Sequence, residues 1–165
     1  MKDITIVGKD KFYKLGTNPK LFYHASVNKY FDISSIQIYK ENSDSIGFFI
    51  YDEFGYKKSI DETINKNYQD DTNKGIAKIT LSDNLYIYPV PVDTISKLTK
   101  EQLRELKNQG YDLIKGEESS TIKYILLNKG KVLAVDYLSI EDSLEYLNNN
   151  ELEEIKEKIN SNKTK

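Results

Sequence analysis

Few side chains in this sequence can do chemistry. There is one histidine, His24, and no cysteine. Thiol nucleophiles, thiolate metal sites and disulfides are therefore excluded, and a zinc site lacks its usual donors. His24 ends the apolar run Leu21-Phe22-Tyr23, and the small residues Ala25 and Ser26 follow it. An imidazole at a strand end can donate or accept a hydrogen bond, and small neighbours let a ligand approach the backbone. A lone imidazole beside a core is more often a satisfied structural residue. A second feature is the aromatic run Ile46-Gly47-Phe48-Phe49-Ile50-Tyr51, whose Phe48 and Phe49 read as a stacking face or as plain core. A third is the adjacent acid pair Glu117-Glu118, which reads as working carboxylates or as a solvated turn.

The elements that must position these groups follow from periodicity and turn chemistry. Asp3 to Val7 reads as a first strand closed by Gly8-Lys9-Asp10, and Thr17-Asn18-Pro19 is a turn ahead of the Leu21 run. Ser34 to Tyr39 alternates and suits a strand or an ordered loop, while Glu41 to Ser45 is polar and exposed. Ile46 to Tyr51 reads as a strand. Ser59-Ile60-Asp61-Glu62 has capping-box form, which predicts a helix over about 60–68, with a polar loop from Gln69 to Asn73. Gly75 to Leu81 and Leu85 to Tyr88 read as strands. Thr99 and Gln102 make a second capping box with Leu98 and Leu103 as its staple, and Gly110 stands where a left-handed helix end belongs. Tyr111 to Ile114 then predicts a strand and Gly116 to Ser120 a polar loop holding the two acids. Ile122 to Leu127 and Val132 to Leu138 predict a hairpin turning at Asn128-Lys129-Gly130-Lys131. Ser139 and Asp142 cap a final helical region, which Leu152, Ile155 and Ile159 continue past an Asn-Asn-Asn break.

Many short strands with scattered helices point to an α+β domain rather than regular βαβ units. A chain of 165 residues is most simply one domain, able to bury roughly two-thirds of its unfolded surface. The formal charge of −2, with both signs interleaved, argues against a dedicated nucleic-acid binder. No run approaches the ~20 apolar residues of a membrane helix, nothing resembles a signal peptide, and the cytoplasm is the simplest compartment for a cysteine-free chain. The wealth of Lys, Asn, Ile and Tyr fits an AT-rich genome, bacterial or viral.

Taken in order, the motifs resemble one arrangement. Phe22-Tyr23-His24-Ala25-Ser26 resembles the aromatic-His-Gly-Ser/Thr signature of the ADP-ribosyltransferase superfamily, and Gly47-Phe48-Phe49-Ile50 resembles its Gly-x-Tyr-Phe strand. Leu98 to Leu127 is similar to the family's later part. The resemblance implies a single domain over residues 1–165: a split β-sheet core at about 21–140 and a helical tail at about 140–160. It implies NAD as a substrate, and a mono-ADP-ribosyltransferase acting on a host or partner macromolecule, most simply a protein. It further implies that His24 holds an adenosine ribose hydroxyl, that Ala25 offers backbone bonds to the nicotinamide amide beside Ser26 and Tyr23, and that Phe49 stacks on the ring. The chain departs from the pattern in three places. Ala25 replaces Gly, Phe49 replaces Tyr, and Lys123 or Tyr124 stands where the glutamate usually is. Some small phage-encoded members place their acid in the loop after a Gly-Tyr pair. Gly110-Tyr111 followed by Glu117-Glu118 is similar, which makes Glu118, then Glu117, the expected catalytic acid. The alternative is a module of the same fold that has lost the acid and binds a partner through its tyrosine-rich surface.

Overall fold

The computed structural model describes residues 13–14, 20–39, 47–70, 74–82 and 84–163. Among the described residues, eight strands form two sheets. The larger has five strands in the order β1-β5-β6-β7-β3, and the smaller has β2-β4-β8. In chain order these are β1 (Tyr13–Lys14), β2 (Lys20–Val27), β3 (Phe48–Ile50), β4 (Gly75–Leu81), β5 (Tyr86–Pro89), β6 (Leu113–Glu118), β7 (Thr121–Leu126) and β8 (Val132–Leu138). The α-helices among the described residues are α1 (Tyr56–Asp70), α2 (Lys100–Asn108), α3 (Ile140–Leu144) and α4 (Asn149–Lys163). The α+β class follows directly from this element list. The readings at Asp3–Val7, Gly8–Asp10, Thr17–Pro19 and Glu41–Ser45 lie outside the described residues.

Strand alternation builds three packed regions. Phe22, Ala77, Ile79 and Leu81 of the small sheet face Phe48, Ile50, Leu113, Tyr124 and Leu126 of the large one, forming the core between the sheets. On the far side of the large sheet, Ile114 and Ile125 pack beneath Leu103 and Leu106 of α2. On the far side of the small sheet, Ile76 packs beneath Ile60 and Ile64 of α1, with Ile155 of α4 added. The two sheets meet at one isolated bridge, where Tyr23 and Tyr51 exchange backbone hydrogen bonds of 2.7 and 2.8 Å.

α2 begins as the sequence predicts. The Thr99 hydroxyl accepts from the Gln102 amide, the Gln102 side chain accepts from the Thr99 amide, and Gly110 takes φ 100° past the helix end. Ser139 likewise caps α3, accepting from the Asp142 amide at 3.1 Å. The Asn-Asn-Asn break opens α4, with Asn148 and Glu151 reciprocally capping its first turn.

Four expectations are corrected. α1 starts at Tyr56 and not at Ile60, because a 3₁₀ turn over Glu53–Gly55 leads into it and Asp52 accepts from the Phe54 amide. Ser59 is no cap; its buried hydroxyl donates back to the Tyr56 carbonyl inside the helix. At Ser34–Tyr39, where the sequence suits a strand or an ordered loop, the loop is found, entered through a 3₁₀ turn at Ile33–Ser35. Gly116 to Glu118 is not loop but the end of β6, paired with Lys123, Ile122 and Thr121. The turn is only Ser119-Ser120, with φ of 52° and 64°, the left-handed pair that a tight two-residue hairpin requires. Finally, β7 and β8 do not form a hairpin. β7 pairs with β6 and β3, and β8 with β4, so the 3₁₀ turn at Lys129–Lys131 carries the chain from one sheet to the other.

Candidate functional site

β2 and β3 lie side by side at the bridge, and this brings His24 to Phe49. The His24 Nδ1 lies 2.6 Å from the Phe49 carbonyl oxygen. A carbonyl only accepts, so this nitrogen carries the proton. The imidazole stacks on Phe48, with centroids 4.0 Å apart, and on Phe31 at 5.8 Å. His24 therefore faces the core between the sheets and ties β2 to β3.

Its neighbours on β2 point the other way. Tyr23 meets Tyr56 of α1 edge-to-face at 4.6 Å; burial, with help from Glu53 and Tyr146, raises its phenol pKa. Ala25 pairs with Ile76, whose side chain packs under α1. Ser26 sits in a bulge at φ 69°, its amide donating to Thr63 Oγ1 at 3.0 Å and its buried hydroxyl without a hydrogen-bond partner.

Phe49 and Glu118 are brought together on the α2 side of the large sheet. Register explains why: Phe49 lies opposite Ile125, Ile125 opposite Ile114, and Gly116 and Glu118 follow Ile114 on the same face. Between them is Lys123. Its ammonium lies 4.8 Å from the Phe49 ring centre and 2.8 Å from Glu118 Oε1. Ser96 donates to the same carboxylate at 2.7 Å, from the 3₁₀ turn that precedes α2. Burial pushes the Glu118 pKa up, but the hydrogen bonds from Lys123 and Ser96 outweigh it and hold the carboxyl below its usual range. The group is thus an ionised carboxylate, paired and partly buried. Glu117 alternates to the opposite face and is exposed, so it does not join this group.

Two further polar pairs flank the bridge. The Tyr51 hydroxyl donates to Glu62 of α1, and burial, more than the nearby Glu62 and Glu118 charges, drives its phenol pKa far up. The Tyr124 hydroxyl donates to Asp52 at 2.8 Å. A hollow of about 260 Å³ opens at the tip of the β6–β7 hairpin, lined by Asp52, Phe54, Lys58, Ser120, Thr121 and Ile122. It adjoins Glu118 through Thr121, its ladder partner, while neither His24 nor Phe49 lines it.

The arrangement thus separates the expected site residues. Phe49 and Glu118 share one group, Tyr23 and Ala25 share their face of the strands under α1, and His24 lies on the opposite face. Ser96 had no sequence signal as a partner of this group. Lys123 had one: a two-residue turn at Ser119-Ser120 makes it a diagonal neighbour of Glu118, where opposite charges attract. No protein-family model, curated protein or solved structure matches the chain significantly. Among the described residues, no helix is long and apolar enough to cross a membrane.

Proposed function

We propose that this chain is an NAD-dependent mono-ADP-ribosyltransferase acting on a host or partner protein in the cytoplasm, with Glu118 as its acidic residue. Cleavage of the bond between nicotinamide and ribose develops an oxocarbenium-like cation, which a fixed carboxylate stabilises. The observation that carries the reading is the placement of Phe49 and Glu118 on one face of the large sheet: a flat aromatic face and an ionised, Ser96-oriented carboxylate on the two strands that flank β7, both touched by Lys123. Two sheets joined by one bridge also fit the split core that the sequence resemblance implies. Phe49 suits the nicotinamide ring and Glu118 its ribose. His24 fits its expected part less well, since its Nδ1 proton is engaged by the Phe49 carbonyl and its ring is stacked on Phe48.

The test is incubation of the purified chain with labelled NAD and a bacterial lysate, reading transferred label and free nicotinamide. Glu118→Gln is expected to lower either signal at least about a hundredfold, from loss of charge stabilisation in the transition state, while Glu117→Gln leaves it within about twofold. Equal activity in wild type and Glu118→Gln refutes the assignment. A second reading, a partner-binding module without activity, is favoured by Lys123, which already neutralises Glu118. NAD that shifts the melting temperature without being consumed would establish that reading instead.

A further inference from the structure

Lys123 is bound as a ligand would be. Its side chain is only 18% exposed, its ammonium contacts the face of Phe49, and it pairs with Glu118. An aromatic face and a carboxylate converging on one positive charge are the two elements by which proteins recognise organic cations. We propose that a planar organic cation of the N-alkylpyridinium type binds between Phe49 and Glu118 by displacing the Lys123 ammonium, so that Lys123 is a built-in occupant setting the affinity of the site. The inference rests on the reading above in taking these two residues as the site, and adds the ligand's charge and the residue that must move.

Three features make the exchange physically reasonable. A lysine head is a strongly hydrated point charge on a flexible stem, so it can leave for solvent at small cost. A planar cation covers the ring more fully than an ammonium 4.8 Å from its centre. Ser96 donates to the carboxylate independently of Lys123, so Glu118 keeps its orientation after the lysine departs. A site competent only while Lys123 is out binds with an affinity reduced by that fraction. Removing the ammonium lifts the reduction.

The probe is 1-methylnicotinamide cation, with neutral nicotinamide as control, titrated calorimetrically into the full chain. In Lys123→Met the cation should bind at least about tenfold more tightly than in wild type, and neutral nicotinamide no more than about twofold more tightly. Adding Glu118→Gln to Lys123→Met should return the cation to the affinity of the neutral ring. Lys123→Gln provides a second variant, and melting curves verify that each protein is folded. The proposal is overturned if both lysine variants bind the cation within twofold of wild type, or if they gain equally for the neutral ring. NAD turnover is read separately. Tighter cation binding without turnover in any variant upholds Lys123 as occupant and ends the transferase reading. Turnover with cation affinity unchanged by Lys123 substitution does the reverse.

Discussion

A methyl group added at Gly116 should loosen both the sheet and the carboxylate it carries. The Cβ of an alanine there would stand 2.7 Å from Ile95 Cβ, and 3.1 Å from both its Cδ1 and Cγ2. Carbon pairs prefer roughly 3.5–4.0 Å, so a displacement on the order of 1 Å is required. Ile95 cannot rotate out of the way, because its Cβ is fixed to the backbone and three of its carbons are crowded at once. It is fully buried among Leu98, Leu103, Leu106 and Ile114. Overpacking of this kind costs about 1–3 kcal/mol. For a domain of this size that is a fall in Tm of roughly 3–10 °C. The backbone of the 3₁₀ turn must yield, and Ser96, next to Ile95, then withdraws from Glu118. Thermal unfolding by circular dichroism at neutral pH measures the first effect. Gly130→Ala is the control, since its new methyl would meet only Asn128 Oδ1 within contact range, at 3.1 Å on an exposed turn, and should change stability by less than about 0.5 kcal/mol. If Gly116→Ala melts with wild type, the tight packing of the 3₁₀ turn on β6 is wrong, and the support of Glu118 falls with it.

Thr99→Ala removes the α2 cap and should cost about 1 kcal/mol by urea unfolding, with an unchanged m-value. Asp112→Ala strips the buried partner of the Tyr86 amide and the Asn128 side chain, both at 2.9 Å, and should cost about 2–3 kcal/mol by the same assay. Stability should also fall with pH because of Glu118. Its folded pKa is depressed, so its contribution is present above the ordinary glutamate range of about 4.3 and is lost as pH drops through the lowered value. Tm measured against pH should show a shallower acid limb in Glu118→Gln than in wild type.

The local signals were legible where a side chain caps or a stripe repeats. Thr99 and Gln102 fixed the start of α2, Gly110 its end, and the alternation from Gly75 to Leu81 a strand. The errors arose where local pattern and tertiary pairing differ. Asn128 to Lys131 carries the residues of a hairpin turn, but the apolar strands on either side are committed to different sheets by partners far away in sequence. The end of β6 reads as loop because Gly116-Glu117-Glu118 is glycine and acid. It is a strand because β7 supplies the ladder and Ile95 fills the space a side chain would take. Ser59 has the composition of a cap but is buried within the first turn of the helix, because Asp52 and the 3₁₀ turn before Tyr56 start the helix earlier. For the site, residue types were visible and faces were not. Alternation is readable only once the strand limits are known, and a one-residue difference puts a side chain on the opposite face. That is why Glu118 joins Phe49 while Glu117 does not.

The separation of His24 from Glu118 bears on what the fold can do. The Nδ1 proton of the sole imidazole bonds to the carbonyl of Phe49, the residue whose ring lies under Lys123. Replacing His24 therefore acts on Phe49 through its backbone, and any loss of ligand binding would arise from position and not from a lost contact. His24→Asn, which retains a donor, should preserve more of the Phe49 placement than His24→Ala. A direct ribose contact by the ring would instead make the two variants equally deficient in NAD binding with equal melting temperatures. The carboxylate, by contrast, is positioned by Ser96 from the α2 side and needs nothing from His24. The two halves of the expected signature thus sit in different surroundings: His24 joins the sheets, while Glu118 is held by Ser96 and Lys123.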